Sequence, residues 1–513
     1  MTNDLYLSLK NDILGLEHCD KVARFDGGTE QKRRIYLDTT ATALMPKLVW
    51  KGLERYLSTA CANSHTEAHR AGRSTTRAID EARDAVGRLV GATAADVVVF
   101  NGNGATGAIN FLARALFPPE LRMPVKRSTP ERSGALVAAM QEAFPQGKHA
   151  LDAMLERPLV VTTLMEHHSN ILPWIEAVGR HNVRFVGVRP DGSLDLDHLQ
   201  ALLDREGHRV RLLAVTGASN VTGLINPIHD IAARAHAVGA QILVDAAQLA
   251  PHRRIDMGNL DFLVISGHKL YAPGSRGVLV GKLDVLSGRR CVGDVGGGMV
   301  EYVSVEDFRV KQEVTAREEA GTPNIPGTIS LGLIAEALSA IGMDRIEHDE
   351  EELVGYALDQ WAPLDGVTIY GSHNPGARVG VFALNLEGLH HGLVAAFLDD
   401  YYNIATRNEC FCAHPYVKAL LHVDAAEEKR YLSELECGDR RHVPGMVRLS
   451  LGIYSRKSDI EVAKEALGEL WRHRQTVLAN YQPRFDGAWR REGIGEEKPL
   501  FSTSQMVQRA HHR

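Results

Sequence analysis

Short runs of apolar residues alternate along the middle of the chain with longer stretches in which apolar positions recur every three or four residues. The runs are Val97–Phe100, Leu159–Thr163, Val183–Val188, Arg211–Thr216, Gln241–Asp245, Asp261–Ser266 and Gly277–Gly281. They are rich in Val, Ile and Leu, bounded by Gly, Asn or Asp, and too short for helices. Such runs predict strands buried on both faces, the kind that builds a mostly parallel sheet. Ser74–Val90, Asn170–His181 and Pro227–Val238 read as crossover helices. The pattern predicts an α/β fold with one large, mostly parallel seven-stranded sheet domain.

The rhythm breaks at Pro118–Arg157, a charged insertion expected to be helical around Gly134–Phe144. Farther on, Ile329–Met343 predicts a helix, and Val379–Leu386, Gly392–Tyr401 and Ser458–Arg472 predict a smaller α+β domain. The expected division is an N-terminal segment 1–33, a large domain 34–328 with the insertion at about 118–157, a small C-terminal domain 329–473, and a tail 474–513. The tail is polar and is expected to be a loosely attached extension.

Composition narrows the class of protein. At 513 residues with 44% hydrophobic content, the chain has room for more than one core. A net charge of -6 gives no reason to expect a nucleic-acid partner. Met1–Lys10 lacks the features of a signal peptide, and no run approaches the roughly 20 apolar residues that span a bilayer, so no membrane is expected. Six cysteines over this length are too sparse for a disulfide framework. The expected setting is the reducing cytoplasm, where a notable cysteine is either reactive or buried.

Candidate chemistry gathers at strand ends. Ligands of open α/β sheets sit at the carboxyl ends of the strands. Lys269 follows Asp261–Ser266 there, and Asp245 ends Gln241–Asp245, with Gln248 three residues on. A lone lysine or aspartate has an ordinary explanation, such as a helix cap for Asp245. Together they suggest a pyridoxal-phosphate (PLP) site, in which a carboxylate keeps a pyridine nitrogen protonated and a lysine holds the cofactor. Asn101–Asn110 leads from a strand into a helix, where backbone amides and the Thr106 hydroxyl would cradle a phosphate. Gly102, Gly104 and Gly107 also fit the dinucleotide fingerprint, but the acidic residue expected about 20 positions later is missing. His167 and His168 are adjacent and point apart on regular backbone, which favours stacking by His167 on a flat ring over metal ligation; no metal is expected.

The ordered blocks resemble the class V aminotransferase fold family, in particular the cysteine desulfurases and selenocysteine lyases. They run from Tyr36-Leu37-Asp38-Thr39-Thr40-Ala41-Thr42 through His69-Arg70, Gly104-Ala105-Thr106, Glu166-His167-His168-Ser169-Asn170 and Ser219-Asn220-Val221-Thr222-Gly223. Asp245-Ala246-Ala247-Gln248, Ser266-Gly267-His268-Lys269 and Glu319-Ala320-Gly321-Thr322-Pro323-Asn324 follow. The resemblance implies a PLP-dependent transferase of fold type I. It implies that Lys269 forms the Schiff base, His167 stacks on the ring, Asp245 pairs with the pyridine nitrogen and Gln248 contacts the ring hydroxyl. Thr106 with Ala105, Ser266 and His268 would bind the phosphate, and Asn220 would lie near the ring. A homodimer is implied, with Thr322 reaching the other subunit's cofactor.

The reaction turns on a cysteine. Arg407-Asn408-Glu409-Cys410-Phe411-Cys412-Ala413-His414-Pro415 resembles the desulfurase segment in which an arginine precedes the nucleophile by five residues and Ala-x-Pro follows it. Cys412 is the match; Cys410 falls where the family often has histidine. The Cys-Phe-Cys form also resembles the desulfurase domain of molybdenum cofactor sulfurases. By this likeness, Cys412 on a mobile loop takes sulfur from L-cysteine as a persulfide, leaves L-alanine, and passes sulfur to an acceptor protein. Arg407 would lower the thiol's pKa, and Arg448 would clamp the substrate carboxylate. The alternative is a PLP lyase or aminotransferase of the same class acting on another amino acid or C–S-bonded metabolite, since fold alone does not fix chemistry.

Overall fold

The computed structural model describes residues 2–118, 158–288, 293–492 and 500–511. The insertion expected at Pro118–Arg157, with its helix at Gly134–Phe144, lies outside the described residues apart from Pro118.

All seven expected strands form, in one sheet. They are β1 (Asp96–Asn101), β2 (Leu159–Thr163), β3 (Val183–Val186), β4 (Val210–Thr216), β5 (Gln241–Asp245), β6 (Phe262–Ser266) and β7 (Gly277–Lys282). Their spatial order is β1-β7-β6-β5-β4-β2-β3. Every pairing is parallel except those of β7, which runs antiparallel to both β6 and β1. Side chains alternate between two cores, as strand geometry requires. Ile242, Val244, Leu213, Leu263 and Ile265 face one core; Leu243, Leu212, Ala214, Phe262 and Val264 face the other. Both faces are covered by helices, which explains why the strands read as continuous apolar runs.

The helix expected over Asn170–His181 is shorter, Leu172–Val178. Pro173 sits in its first turn, and Gly179, at φ +86°, ends it. Helix α1 (Gly104–Leu116) follows β1 directly. Helix α2 (Ile325–Ile341) begins four residues before the predicted Ile329 and is capped by the Asn324 side chain on Gly327 N. It therefore runs unbroken through the expected boundary at 328/329. The chain turns at Gly342, φ +89°, into α3 (Met343–Trp361). Among the described residues, no single helix is long and apolar enough to cross a membrane.

The smaller domain centres on an antiparallel sheet of β8 (Val367–Ile369), β9 (Val381–Leu386), β10 (Arg407–Glu409) and β11 (Met446–Ser450), ordered β8-β9-β11-β10. Its core joins Phe382, Leu384, Val447 and Leu449 to Val354, Leu358 and Trp361 of α3, and to Leu393 and Phe397 of α4 (His391–Tyr402). The N-terminal segment belongs to both domains. Leu9, Ile13 and Leu16 enter the large core, whereas Ala23 is buried in the small domain's core; just past the segment, Ile35–Tyr36 pairs in parallel with Ile404–Ala405.

The tail departs from the expected loose extension. After Arg474 the chain forms helix Arg474–Asn480 and a hairpin of Tyr481–Pro483 with Trp489–Arg491. Val477 and Tyr481 are buried in the small domain's core, and Trp489 Nε1 donates to His390 Nδ1 at 3.0 Å. Two apolar anchors in an otherwise polar stretch suffice to dock it. Farther on, Leu500, Phe501, Met506 and Val507 are exposed.

Candidate active site

A cavity of about 240 Å³ lies at the carboxyl ends of the parallel strands, between the two domains. The turn after β1 brings Asn103–Thr106, and the turn after β2 brings His167 and Ser169. β4 ends at Thr216 and leads to Ala218 and Asn220; β5 ends at Asp245 and leads to Ala247 and Gln248. β6 supplies Ser266, His268 and Lys269. Thr40, Ala41, Arg407, Phe411, Cys412 and Arg448 close the cavity from the other side.

Lys269 is half-buried. Burial lowers its amine to about 8; Asp245 opposes that shift, and Arg448 and Arg407 add to it. An amine at about 8 is roughly one-tenth neutral at pH 7, far more than an ordinary lysine offers as a nucleophile or base. Asp245 Oδ1 accepts from Ala247 N at 2.9 Å. Burial pushes its carboxyl up, while that amide and the Lys269 charge pull it down.

The first turn of α1 forms an anion cradle. Asn103 at its N-cap makes no side-chain capping bond, so its own side chain closes none of the first-turn amides. Ala105 N donates to Ser266 Oγ at 2.8 Å, which ties the cradle to the end of β6. Gly104 adopts φ +58°, and a Cβ there would lie 2.9 Å from Ser266 Oγ, so only glycine fits without strain. Thr106 Oγ1 lies 2.6 Å from Ser169 Oγ, which lies 3.0 Å from His167 Nδ1. Ser169 N also donates to His167 Nδ1 at 3.1 Å. Nδ1 is thus an acceptor, and the neutral ring carries its proton on Nε2. Burial, then the Lys269 charge, lowers His167 to about 3, so the ring is neutral. His168 turns away and stacks on His414, at 4.8 Å and 11°.

Arg448, on β11, is 2% exposed. Nη1 donates to the Asn220 carbonyl and Nη2 to Asp38 Oδ1, each at 3.1 Å. Its Nε is buried with no protein partner. Burial lowers the guanidinium to about 10, still cationic at neutral pH. Gln248 Oε1 is likewise buried without a partner. Two orphaned polar atoms on residues lining one cavity are costly unless a ligand meets them. The amine, the carboxyl, the first-turn helix amides and these two atoms fit pyridoxal phosphate with an amino acid beside it.

Cys412 lies on a strained loop. Glu409, Phe411 and Cys412 take φ of 85°, 52° and 58°, values costing about 1–3 kcal/mol each in non-glycine residues. Hydrogen bonds hold the strain. His168 N donates to the Cys412 carbonyl, Asn220 Nδ2 to the Phe411 carbonyl and Ala413 N to the Cys410 carbonyl, all at 2.8 Å. Helix His414–Leu421 begins at once. Cys412 is half-buried on the cavity wall, whereas Cys410 is buried and points its Sγ at the Pro444 carbonyl at 3.0 Å. Burial, then Glu409, pushes the Cys410 thiol up to about 12, which leaves it inert.

The cavity thus brings together Lys269, Cys412, His167, Thr106, Ala105, Asn220, Asp245, Gln248, Ser266, His268, Arg448 and Arg407, all named from sequence. Thr322 is apart from them: it is exposed and does not line its own chain's cavity. Sequence reasoning missed Ser169 as the link between Thr106 and His167, and Asp38 as the partner of Arg448. Both stood inside the quoted motifs; their partners are distant in the chain.

Fold and cavity define an α/β scaffold in which a half-buried lysine and a buried aspartate line one cavity. A profile of the Aminotransferase class-V family matches residues 35–127 and 146–462. The chain is 33% identical over 438 residues to a probable cysteine desulfurase of Halalkalibacterium halodurans, covering 84% of this chain and 92% of the relative. It is 34% identical over 431 residues to a cysteine desulfurase of an Enterobacter species, covering 83% and 90%. Among solved structures, the apo cysteine desulfurase of Thermococcus onnurineus NA1 matches with TM-score 0.67 at 28% identity, covering 86% of this chain and 95% of that one. An Escherichia coli cysteine desulfurase matches with TM-score 0.66 at 26% identity, covering 85% and 94%. The chain belongs to the class V aminotransferase family, and that membership implies pyridoxal phosphate as its cofactor.

Proposed function

We propose that this protein is a pyridoxal-phosphate-dependent cysteine desulfurase that takes sulfur from L-cysteine, leaving L-alanine and a persulfide on Cys412. One observation carries the reading. Cys412 is the one thiol on the cavity wall among the described residues, and it shares that wall with Lys269, Arg407 and Arg448. The relatives named as cysteine desulfurases support it over most of the chain's length.

Lys269 would hold the cofactor, with Asp245 at the ring nitrogen, Gln248 at the ring oxygen and His167 against the ring face; Asn220 lies near the ring. Thr106, Ala105, Ser266 and His268, with the first turn of α1, would hold the phosphate. When bound, the group supplies an aldehyde for amines and an electron-accepting ring. Arg448, through its free Nε, and Arg407 orient the substrate carboxylate. The Lys269 amine moves the proton at the substrate α-carbon. The Cys412 thiolate attacks the substrate sulfur, so that an S–S bond forms as the Cβ–S bond breaks. The electron pair stays with Cβ, which takes up a proton. Thiol and cysteine become persulfide and alanine, with atoms and electrons balanced.

The active form is a homodimer in which Thr322, exposed in its own chain, reaches the partner's phosphate site. A protein acceptor takes the sulfur from Cys412. The described cysteines are all free thiols, which supports a reducing, cytoplasmic setting. The large domain carries the cofactor and the small domain carries Cys412 and Arg448. The test is to mix holoenzyme with L-cysteine and measure alanine and the mass of the Cys412 peptide. Equimolar alanine and a gain of one sulfur on Cys412 are expected. Alanine formed at full rate by Cys412→Ala would overturn the persulfide route.

A further inference from the structure

Behind Gln248 runs a buried polar chain whose other members have no part in the chemistry above. The Gln248 amide, on the cavity wall, has its nitrogen 3.1 Å from His252 Nε2. Across that ring, His252 Nδ1 lies 2.6 Å from Glu350 Oε1, on α3. Glu350 Oε1 also accepts from Gly380 N at 3.0 Å, and Oε2 pairs with Arg253. Arg253 in turn faces Glu347 at 3.2 Å and Glu351 at 3.9 Å. His252, Arg253 and Glu350 are all buried. The other titratable groups packed around the chain are Tyr6, Lys10, Tyr271 and Asp349. Of these, Tyr6 donates to Asp349, and Lys10 lies 3.9 Å from the same carboxylate. Tyr271 Oη accepts from Ile453 N at 2.9 Å.

The two ends of a carboxamide occupy equivalent positions, so its neighbours decide which way it points. With the amide nitrogen toward His252, the Gln248 oxygen is left buried with no partner. Turning the amide by half a rotation places Oε1 on a His252 Nε2–H and the NH₂ group in the cavity. That arrangement requires protons on both ring nitrogens, because Nδ1 already faces a carboxylate. Glu350 supplies the counter-charge. Burial alone would raise its carboxyl, but His252, Arg253 and the Gly380 amide outweigh burial and hold it below the usual range. His252 and Arg253 face three carboxylates, Glu347, Glu350 and Glu351, so a charged His252 leaves no excess of positive charge in the cluster.

We propose that His252 is a positioning residue: as an imidazolium held by Glu350, it fixes the Gln248 amide so that its NH₂ faces the cavity. The amide then donates to an anionic oxygen on a ring bound beside Asp245, an inference that rests on the cofactor reading above and deepens it. His252 touches neither cofactor nor substrate; it acts through Gln248.

The test has two arms. Protein carrying ¹⁵N-labelled histidine is examined by NMR, with His252 assigned as the signal missing from His252→Phe or His252→Gln. Protons on both ring nitrogens are expected, and a neutral ring with a bare Nε2 overturns the proposal. In holoenzyme, the pH midpoint of the cofactor's visible band is compared with that of His252→Phe and Glu350→Gln. A donor favours the ionised ring oxygen, so its loss raises the midpoint, by about one pH unit. An unmoved midpoint in variants that retain cofactor overturns the proposal, because a merely structural role lowers Tm and leaves the midpoint alone. Failure of the unmodified protein to take up pyridoxal phosphate overturns the cofactor reading and the role of the Gln248 donor. The nitrogen spectrum still reports the charge on His252 in that case, so the two failures are distinguishable.

Discussion

Replacing Arg448 with lysine keeps the charge and removes the fork. In the wild-type side chain, one N–H reaches the Asn220 carbonyl and one reaches Asp38, while Nε is buried and free. Nε and the remaining guanidinium hydrogens can offer a carboxylate two parallel donors. A lysine has three N–H bonds in all. With two on Asp38 and Asn220, it offers the substrate one. The variant therefore loses one charge-assisted hydrogen bond, about 1.5–3 kcal/mol, or roughly a ten- to hundredfold rise in KM for L-cysteine. The effect falls on KM because the carboxylate is bound equally in ground and transition states. The assay is initial-rate alanine formation across cysteine concentrations, with Tm and cofactor content measured alongside. A KM within twofold of wild type in a fully loaded, folded variant would refute the clamp. So would an undiminished kcat/KM for a substrate analogue lacking the carboxylate.

Other perturbations follow from the same geometry. Cys412→Ala is expected to abolish the persulfide and cut alanine formation by at least a hundredfold on the scale of a lost nucleophile, whereas Cys410→Ala, which removes an inert thiol, leaves turnover within a few-fold; mass spectrometry and alanine assays read both. Because burial brings the Lys269 amine to about 8, uptake of pyridoxal phosphate by apoprotein is expected to speed up as pH rises through that value, where the neutral amine becomes the majority form; absorbance-monitored reconstitution with a midpoint near 10 would contradict this. Gly104→Ala places a Cβ 2.9 Å from Ser266 Oγ at φ +58°, a change expected to cost about 1–3 kcal/mol and to weaken phosphate affinity together with Tm. Tyr481→Ala empties a 2%-exposed site beneath the tail and is expected to cost about 3 kcal/mol in denaturant unfolding, whereas a loose tail predicts no change.

Much of this protein was legible in its sequence because the information was local. An apolar run closed by a polar residue sets both a strand and the place where its last side chain emerges. That is why Asp245 and Lys269 were correctly placed at neighbouring strand ends, and why the seven strands stand where the pattern put them. The turn Asn103–Thr106 was readable for the same reason, since a strand, a glycine and a helix start follow one another without a break.

Tertiary structure alone decided what lies across the cavity. Arg448 and Cys412 reach Lys269 only because the small domain packs its sheet edge over the strand ends, and no local pattern encodes that approach. The same packing brings Asp38, from near the N-terminus, to Arg448 and ties the strained Cys412 loop to His168 and Asn220. Docking of the tail depends on two buried anchors whose partners lie far away in the chain. The link from Gln248 through His252 to Glu350 likewise joins a strand-end turn to a helix about a hundred residues on. A sequence names such groups one at a time; burial forces them to find partners, and only the folded chain shows which partners they find.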